Sequence, residues 1–244
     1  MPRYNIPHYS KVVNSILYNN LRFYVNIFKY KLEGIPIDNS NKIVLDLCGG
    51  TGEWSKPYKN AGYDVRVITL PEYDVFTYEP PRGVYGILAA PTCTEFSLAR
   101  TRTEVRDREL GPAMGLVKRC LHIIWEQQYD LPYKNAKITT LKFWALENPK
   151  GFLKYFLGNP PFEFTPADFG DNYKKKTQLW GNFKEPIKKP IECTAKKFDV
   201  TLLEDLPQFP QGFTYNKGCG LDKRQVRRSI TPQGFAQAFY LANQ

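Results

Sequence analysis

The sequence predicts a doubly wound α/β fold, in which helices cover both faces of a parallel sheet. Short, continuous apolar runs occur at residues 42–48, 64–70, 85–90 and 143–148, a pattern typical of strands that are buried on both faces. Between the last two runs, apolar residues recur at steps of three and four, which indicates a helix packed on a sheet. Strands that alternate with helices in this way favour parallel pairing.

The elements are predicted in the following order. Residues 9–32 are rich in Tyr, Phe and Ile, and we expect an N-terminal helix there. The first strand, KIVLDLC, runs directly into the glycine-rich turn GGTGEWS. The strands DVRVITL and YGILAA follow, and a helix at 112–128 leads to the strand FWALEN. The residues that this helix turns towards the sheet are predicted to be Met114, Val117, Leu121, Ile124 and Trp125.

One main domain is predicted, at residues 42–183, and a helical segment at 1–41 precedes it. After residue 150 the chain is rich in Pro, Gly, Lys and aromatic residues and loses its periodicity. We therefore expect a small irregular insertion at 184–227, suited to a target-recognition element. The last segment, 228–244, is predicted to return to the main domain as a C-terminal helix.

Composition limits the class of protein. The five cysteines are odd in number and show no C-x-x-C spacing, which argues against a disulfide framework and against a zinc site, and we expect no metal. No apolar run approaches the length of a membrane span, and the first residues lack the pattern of a signal peptide. A cytoplasmic protein with no membrane partner is the expectation.

The net charge of +10 points to a polyanionic partner. Basic residues cluster at 100–108, 173–177 and 222–228, and a protein that neutralises phosphates gains affinity by releasing their counterions. A basic surface that serves only solubility is the alternative. We expect nucleic acid as the partner.

Cys93 lies in the segment APTCTEFS, just after the third apolar run. A cysteine in a strand is usually a small hydrophobic residue, but catalytic groups collect at the carboxyl ends of strands in an open sheet. The turn after the first strand occupies the place where Rossmann-like folds bind the adenosine part of a cofactor, although it could also be a tight strand-to-helix turn. It is not G-x-G-x-x-G, and Thr69 stands where a dinucleotide site needs an acid.

Five motifs occur in one order along the chain: DLCGGTGEWS, APTCTEFS, ALENPKG, KKTQLWG and RRSITPQGFAQAF. Together they resemble those of the S-adenosylmethionine-dependent DNA cytosine 5-methyltransferases, most closely the short, phage-type members. The resemblance runs from about residue 42 to the C-terminus. It implies a Rossmann-like, doubly wound class I methyltransferase sheet, S-adenosyl-L-methionine as cofactor, and duplex DNA with a flipped cytosine as partner. We expect a monomer, in the host cytoplasm if the protein is phage-encoded.

The resemblance also implies residue roles. Cys93 matches the nucleophile that adds to carbon 6 of cytosine, and basic neighbours at a strand end predict a lowered thiol pKa. Glu147 matches the acid that acts on ring nitrogen 3. The implied cofactor-binding residues are Asp46, Cys48, Gly49, Gly50, Gly52, Trp54, Leu70, Asp74, Val75 and Pro91. The implied nucleic-acid-binding residues are Thr92, Ser97, Arg100, Arg102, Asn148, Lys176, Arg227 and Arg228.

Five positions depart from the family pattern. Cys48 replaces a phenylalanine, and Thr69 replaces the acid that holds the ribose, for which Glu72 is a candidate substitute. Thr92 replaces a proline before the nucleophile, which predicts a looser loop. Lysines at 175 and 176 stand in an arginine-rich strand, and lysine cannot reproduce a bidentate arginine contact.

Alternatives to DNA cytosine methylation remain open. The same chemistry could act on RNA or use a modified cofactor, or the chain could bind nucleic acid without activity. The segment Asn-Pro-Pro-Phe at 159–162 resembles the motif of enzymes that methylate exocyclic amines, although no second glycine motif serves it. The arginines at 100, 102, 106 and 108 suit either a mobile loop that closes over an extruded base or a solvated helix start.

Overall fold

The computed structural model describes residues 38–98, 100, 104–129, 140–194 and 207–244. Backbone contacts divide the chain into residues 1–38 and 39–244, and the helices and strands named here all belong to the second unit. The predicted N-terminal helix at 9–32 and the predicted contact residue Arg102 lie outside the described residues.

The described residues contain one six-stranded sheet in the order β2-β1-β3-β4-β6-β5. The first four of these strands are parallel, as the apolar runs predicted. However, β6 is antiparallel to both of its neighbours, so the expected parallel pairing holds for β1 to β4 and not for the whole sheet. The sequence of β6, TQLWGN, is not a continuous apolar run, so periodicity indicated neither this strand nor its direction. The strands are β1 (Ile43–Leu47), β2 (Asp64–Ile68), β3 (Val84–Ala89), β4 (Phe143–Pro149), β5 (Phe162–Phe164) and β6 (Thr177–Asn182).

Helices and short 3₁₀ turns connect these strands. The helix predicted at 112–128 begins two residues earlier, and the predicted C-terminal helix is present. The helices are α1 (Lys56–Asn60), α2 (Leu110–Gln128), α3 (Lys154–Leu157), α4 (Lys223–Ser229) and α5 (Gln233–Ala242), and the 3₁₀ turns are Val105–Asp107, Pro166–Phe169 and Lys217–Cys219.

Helix α4 was not predicted, because its sequence KRQVRRS lacks an apolar stripe. A capping box begins it. The Asp222 carboxylate accepts a hydrogen bond from the Gln225 backbone N–H at 2.7 Å, and the Gln225 side chain accepts one from the Asp222 backbone N–H at 2.8 Å. Val226 is buried and anchors the helix to the body of the protein. Part of the predicted irregular insertion is therefore a fixed helix.

Two apolar cores cover the two faces of the sheet. Leu45 and Leu47 of β1 belong to the core under α2, whereas Val44 belongs to the core under α1 and α5. This alternation is the period of two that a strand requires. The predicted stripe of α2 has one error, since Trp125 is 57% exposed. Its ring lies against His122 and Tyr129 on the outer face of the helix.

Candidate active site

A cavity of about 1080 Å³ lies at the carboxyl ends of β1 to β4. β1 and β3 are neighbours in the sheet, and the chain leaves β1 towards β2 on the opposite side, so a topological switch point lies between them. Ligands of open α/β sheets bind in the crevice at such a point. The residues of 213–229 that line the cavity complete its wall.

The cavity brings together residues that are far apart in sequence. Both predicted catalytic residues line it, and so do six predicted cofactor-binding residues and five predicted nucleic-acid-binding residues. These thirteen residues are Cys93, Glu147, Cys48, Gly50, Leu70, Asp74, Val75, Pro91, Thr92, Ser97, Arg100, Lys176 and Arg228. Six others do not line it: Asp46, Gly49, Gly52, Trp54, Asn148 and Arg227.

Cys93 lies in a turn that follows β3, and its side chain is half-buried. Within the turn, the Cys93 carbonyl accepts hydrogen bonds from the backbone N–H groups of Phe96 at 3.0 Å and Ser97 at 2.9 Å. The turn is also tied to β4 and the residues after it, since the Asn148 side chain donates to the Pro91 carbonyl at 3.1 Å and the Phe152 N–H donates to the Phe96 carbonyl at 2.9 Å. These bonds hold the turn although threonine, and not proline, stands at position 92 directly before Cys93.

Glu147 lies near the end of β4 and faces the same cavity. Its Oε1 is 3.9 Å from the Lys175 Nζ, and no hydrogen bond reaches this buried oxygen from the described residues. Burial raises the pKa of Glu147, and the nearby Lys175 lowers it less. The carboxyl group therefore holds a proton more readily than a free glutamate does, as a proton donor to a substrate requires.

The pKa of Cys93 is raised, whereas the sequence predicted a lowered pKa. Burial is the largest cause, and the charge of Glu147 adds to it. Lys175 and Arg228 act in the opposite direction but do not outweigh the loss of water. The basic neighbours are thus present as predicted, but the resting form at neutral pH is the thiol.

The glycine turn forms the wall of the cavity next to β1. Gly50 has a φ of +55°, and Cys48 before it has a φ of +57°. The Cys48 Sγ is 4.0 Å from the Cys120 Sγ of α2. Opposite the turn, residues that follow β2 expose apolar and aromatic surface to the cavity, namely Leu70, Tyr73 and Phe76. A flat apolar ligand group would be buried between these two walls.

Asp46 and Gly49 support the turn from beneath instead of lining the cavity. Asp46 is fully buried, and its Oδ2 accepts a hydrogen bond from the Ser55 hydroxyl at 2.6 Å. A Cβ on Gly49 would lie 2.5 Å from the Asp46 Cγ, so the backbone can pass the carboxylate only because residue 49 is glycine. The sequence could not distinguish this support from direct ligand contact.

Trp54 and Gly52 also lie away from the cavity. Trp54 is 1% exposed, and its ring packs against Phe235 and Phe239 of α5 in the core. Gly52 has a φ of +72°, which the turn into α1 requires. Both residues serve the fold, whereas the resemblance implied cofactor contact.

Several basic residues are engaged by neighbouring groups. Arg100 forms an ion pair with Glu95, and Lys176 forms one with Glu163 at 3.0 Å. Arg108 is 9% exposed and donates to the carbonyls of Glu95, Ser97 and Arg100 at 2.7 to 2.8 Å. Neither of the two alternatives for these arginines, a mobile loop or a solvated helix start, describes Arg108, which is buried and holds the end of the Cys93 turn.

Sequence reasoning missed part of the wall. Phe213 and Asn216 line the cavity, although no motif marks them, and Ser229 lines it although the resemblance implied no role for this residue. The segment that carries them lies against the residues after β2, since a Cβ on Gly218 would be 3.1 Å from the Pro71 Cβ. The predicted insertion therefore contributes to the cavity itself.

Other candidate sites do not reach the cavity. The segment 159–162 runs into β5 and lines no part of it. Within the described ranges, no three His, Cys, Asp or Glu residues are grouped so that they could hold a metal ion. The described helices include none that is long and apolar enough to cross a membrane.

The sheet and the cavity define an α/β protein with a ligand cleft at the carboxyl ends of its parallel strands. Neither a protein-family model nor a curated protein matches the chain. Among solved structures, the Entamoeba histolytica methyltransferase EhMeth is similar at 12% sequence identity and a TM-score of 0.35. The similarity covers 65% of this chain and 58% of that protein.

Proposed function

We propose that the protein transfers a methyl group from S-adenosylmethionine to carbon 5 of cytosine in DNA, through a covalent adduct of Cys93 with a flipped base. The observation that carries this proposal is that Cys93 and Glu147, from the ends of two neighbouring strands, line one cavity together with Lys175 and Arg228. A nucleophile, a proton donor and two cations are the groups that this chemistry needs.

Carbon 5 of cytosine is a poor nucleophile, and addition of a thiolate to carbon 6 activates it. As Cys93 loses its proton to solvent and its Sγ bonds to carbon 6, the π electron pair of the ring moves towards carbon 5 and nitrogen 3. Glu147 relieves this charge by giving its proton to nitrogen 3. After carbon 5 has been methylated, loss of its proton to solvent expels Sγ, which regains a proton from solvent, and nitrogen 3 returns its proton to Glu147.

S-adenosylmethionine, when bound, supplies the electrophilic methyl group. The walls of the cavity fit this cofactor. Gly50 has no side chain, so a ligand can approach its backbone, and Leu70, Tyr73 and Val75 offer apolar surface to the adenine ring. Asp74 lines the same cavity, and although its Oδ1 accepts a hydrogen bond from the Phe76 N–H at 3.0 Å, its carboxylate retains acceptor sites for a ligand.

A nucleic acid is the partner that the charges favour. The net charge is +10, and six lysine or arginine side chains line the cavity against three acidic ones. A base inside duplex DNA cannot reach a thiol in a cleft, so the target nucleotide has to be extruded. We take DNA as the substrate, and parallel assays of labelled methyl transfer to duplex DNA and to RNA decide between the two.

Trapping of the adduct tests the proposal. Duplex DNA that contains 5-fluorocytosine should form a denaturant-resistant adduct through Cys93 in the presence of cofactor, because fluorine on carbon 5 blocks the final elimination. Cys93→Ser should abolish the adduct. Cys219→Ser, which changes another half-buried cysteine of the cavity wall, should retain it.

Glu147→Gln separates the role of the proton donor from that of the thiol. Adduct formation should slow by about 10²- to 10⁴-fold, because nitrogen 3 loses its acid. Alkylation of Cys93 by iodoacetamide should become faster, because the charge of Glu147 opposes the thiolate. If wild-type protein alkylates normally but forms no adduct with any duplex, the proposal is wrong.

A nucleic-acid-binding protein without transferase activity is the second candidate. The raised pKa of Cys93 favours it, since a thiol attacks far more slowly than a thiolate. Calorimetry distinguishes the two candidates: binding of duplex DNA without binding of S-adenosylmethionine would support this one.

A further inference from the structure

Arg228 lies in the cavity on α4, a helix that the sequence did not predict. We propose that Arg228 stabilises negative charge on the Cys93 sulfur and on the ring that it attacks, instead of contacting the phosphate backbone. The part about the sulfur depends on the structure alone, and the part about the ring rests on the proposed function.

The position of α4 supports this role. The capping box at Asp222 fixes its first turn, and the buried Val226 fixes its orientation. Its last residue, Ser229, lies beside the glycine turn, since a Cβ on Gly50 would be 3.9 Å from the Ser229 Oγ. The helix thus ends beside the turn after β1, and it places Arg228 in the cavity that Cys93 also lines.

The two arginines at the end of α4 are used differently. Arg227 donates a hydrogen bond from its Nε to the Pro207 carbonyl at 2.9 Å and does not line the cavity. Arg228 lines the cavity and is half-buried. Adjacent residues of one helix face different directions, so only Arg228 can act on a group bound in the cavity.

The charge of Arg228 is only partly compensated by its surroundings. Burial, the largest cause, and the charge of Arg224 lower its pKa, whereas the charges of Cys93 and Asp222 raise it. Negative charge on a group bound in the cavity would offset the cost of this partial burial. The guanidinium has five N–H donors, and a thiolate or the carbonyl oxygen of a cytosine ring would accept hydrogen bonds from them.

The charged groups around Cys93 divide into two sets. Glu147 from β4 opposes the thiolate, and Lys175, just before β6, favours it but lies 3.9 Å from the Glu147 carboxylate. Arg228 from α4 also favours the thiolate, and the carboxylate that acts on its charge, Asp222, caps the first turn of the same helix. Arg228 therefore supplies a guanidinium that can donate two parallel hydrogen bonds, which the lysines before β6 cannot do.

The rate of Cys93 alkylation by iodoacetamide as a function of pH tests the inference without any substrate. Mass spectrometry of the Cys93 peptide reports this cysteine alone. In Arg228→Gln, the midpoint of the profile should move to higher pH, and the rate at pH 8 should fall about three- to tenfold. Arg228→Lys should restore part of the rate. Arg227→Gln is the matched control and should follow the wild type.

A wild-type profile in Arg228→Gln would overturn the inference, and so would an equal shift in Arg227→Gln. Circular dichroism and thermal melting show whether each variant is folded, and Arg228→Lys keeps the test valid if the glutamine variant is not. Adduct formation with 5-fluorocytosine DNA should fall in Arg228→Gln by more than the alkylation rate. If the profile shifts but wild-type protein forms no adduct, the role of Arg228 at the thiol stands and the proposed function fails.

Discussion

Cys93 and Glu147 influence each other through charge, because both half-buried side chains face one cavity. Ionisation of Glu147 raises the pKa of the Cys93 thiol, and burial raises the pKa of both groups. The resting site is therefore biased towards a neutral thiol. In the proposed reaction, Glu147 would give its proton to the ring of the bound base as the sulfur attacks that ring. Protonation of the substrate and attack by sulfur would thus be coupled.

The buried carboxyl of Asp46 should make stability depend on pH. Burial raises its pKa from the ordinary 3.8 to about 6, so ionisation is less favourable in the folded state. The stability that Asp46 contributes is complete below about pH 4 and is lost as pH rises through about 6. Asp46→Asn keeps a hydrogen-bond acceptor for the Ser55 hydroxyl. Because asparagine does not ionise, the variant should not lose stability as the pH rises.

Urea unfolding of both proteins at several pH values measures the effect. The free energy of unfolding of the wild type relative to Asp46→Asn should fall by about 3 kcal/mol between pH 4 and pH 8. Parallel pH profiles for the two proteins would contradict the assignment. The difference between the two proteins isolates Asp46 from other groups that titrate in this range.

At the scale of elements, the turn that carries Cys93 is fixed by its contact with the chain after β4. A Cβ on Gly151 would lie 2.0 Å from the Phe96 carbonyl oxygen, which is the acceptor for the Phe152 N–H. Backbone can approach backbone so closely only where a side chain is missing. The position of Cys93 therefore depends on a glycine that lies outside the turn itself.

Gly151→Ala should destabilise the protein by about 1 to 3 kcal/mol, because the added methyl group forces the two segments apart. Gly115→Ala in α2 is the matched control: no atom lies within 4 Å of the added Cβ, and the change should stabilise by about 0.5 to 1 kcal/mol. Thermal and urea unfolding measure both. A Gly151→Ala protein as stable as the wild type would show that the turn is not held in this way.

At the scale of the whole molecule, basic residues of the described ranges lie both around the cavity and away from it. Exposed Lys174 lines it, whereas exposed Lys118 lies on α2 away from it. If DNA binds across the cavity, Lys174 neutralises a phosphate and Lys118 does not. Only the first of these lysines should then contribute to the salt dependence of binding.

Titration of duplex DNA at several salt concentrations tests this expectation. In Lys174→Gln, the slope of log affinity against log salt should become shallower by about one, because one fewer counterion is released. Lys118→Gln should keep the wild-type slope. Equal slopes in all three proteins would place the DNA elsewhere on the surface.

Local stretches of sequence were enough to predict the four parallel strands, the long helix α2, the glycine turn and the position of Cys93 after a strand. These features depend on short-range periodicity and turn chemistry, which neighbouring residues contain. Because the carboxyl ends of parallel strands meet at one edge, the sequence also indicated that Cys93 and Glu147 would face the same space.

The uses of the remaining polar and aromatic residues depend on tertiary contacts that the sequence does not reveal. Trp54 is a core residue, Arg108 clamps a turn, and adjacent Arg227 and Arg228 have opposite uses. The reversed direction of β6 was equally invisible. In each case the residue type allows several roles, and the choice depends on which groups distant in sequence surround the side chain once the chain has folded.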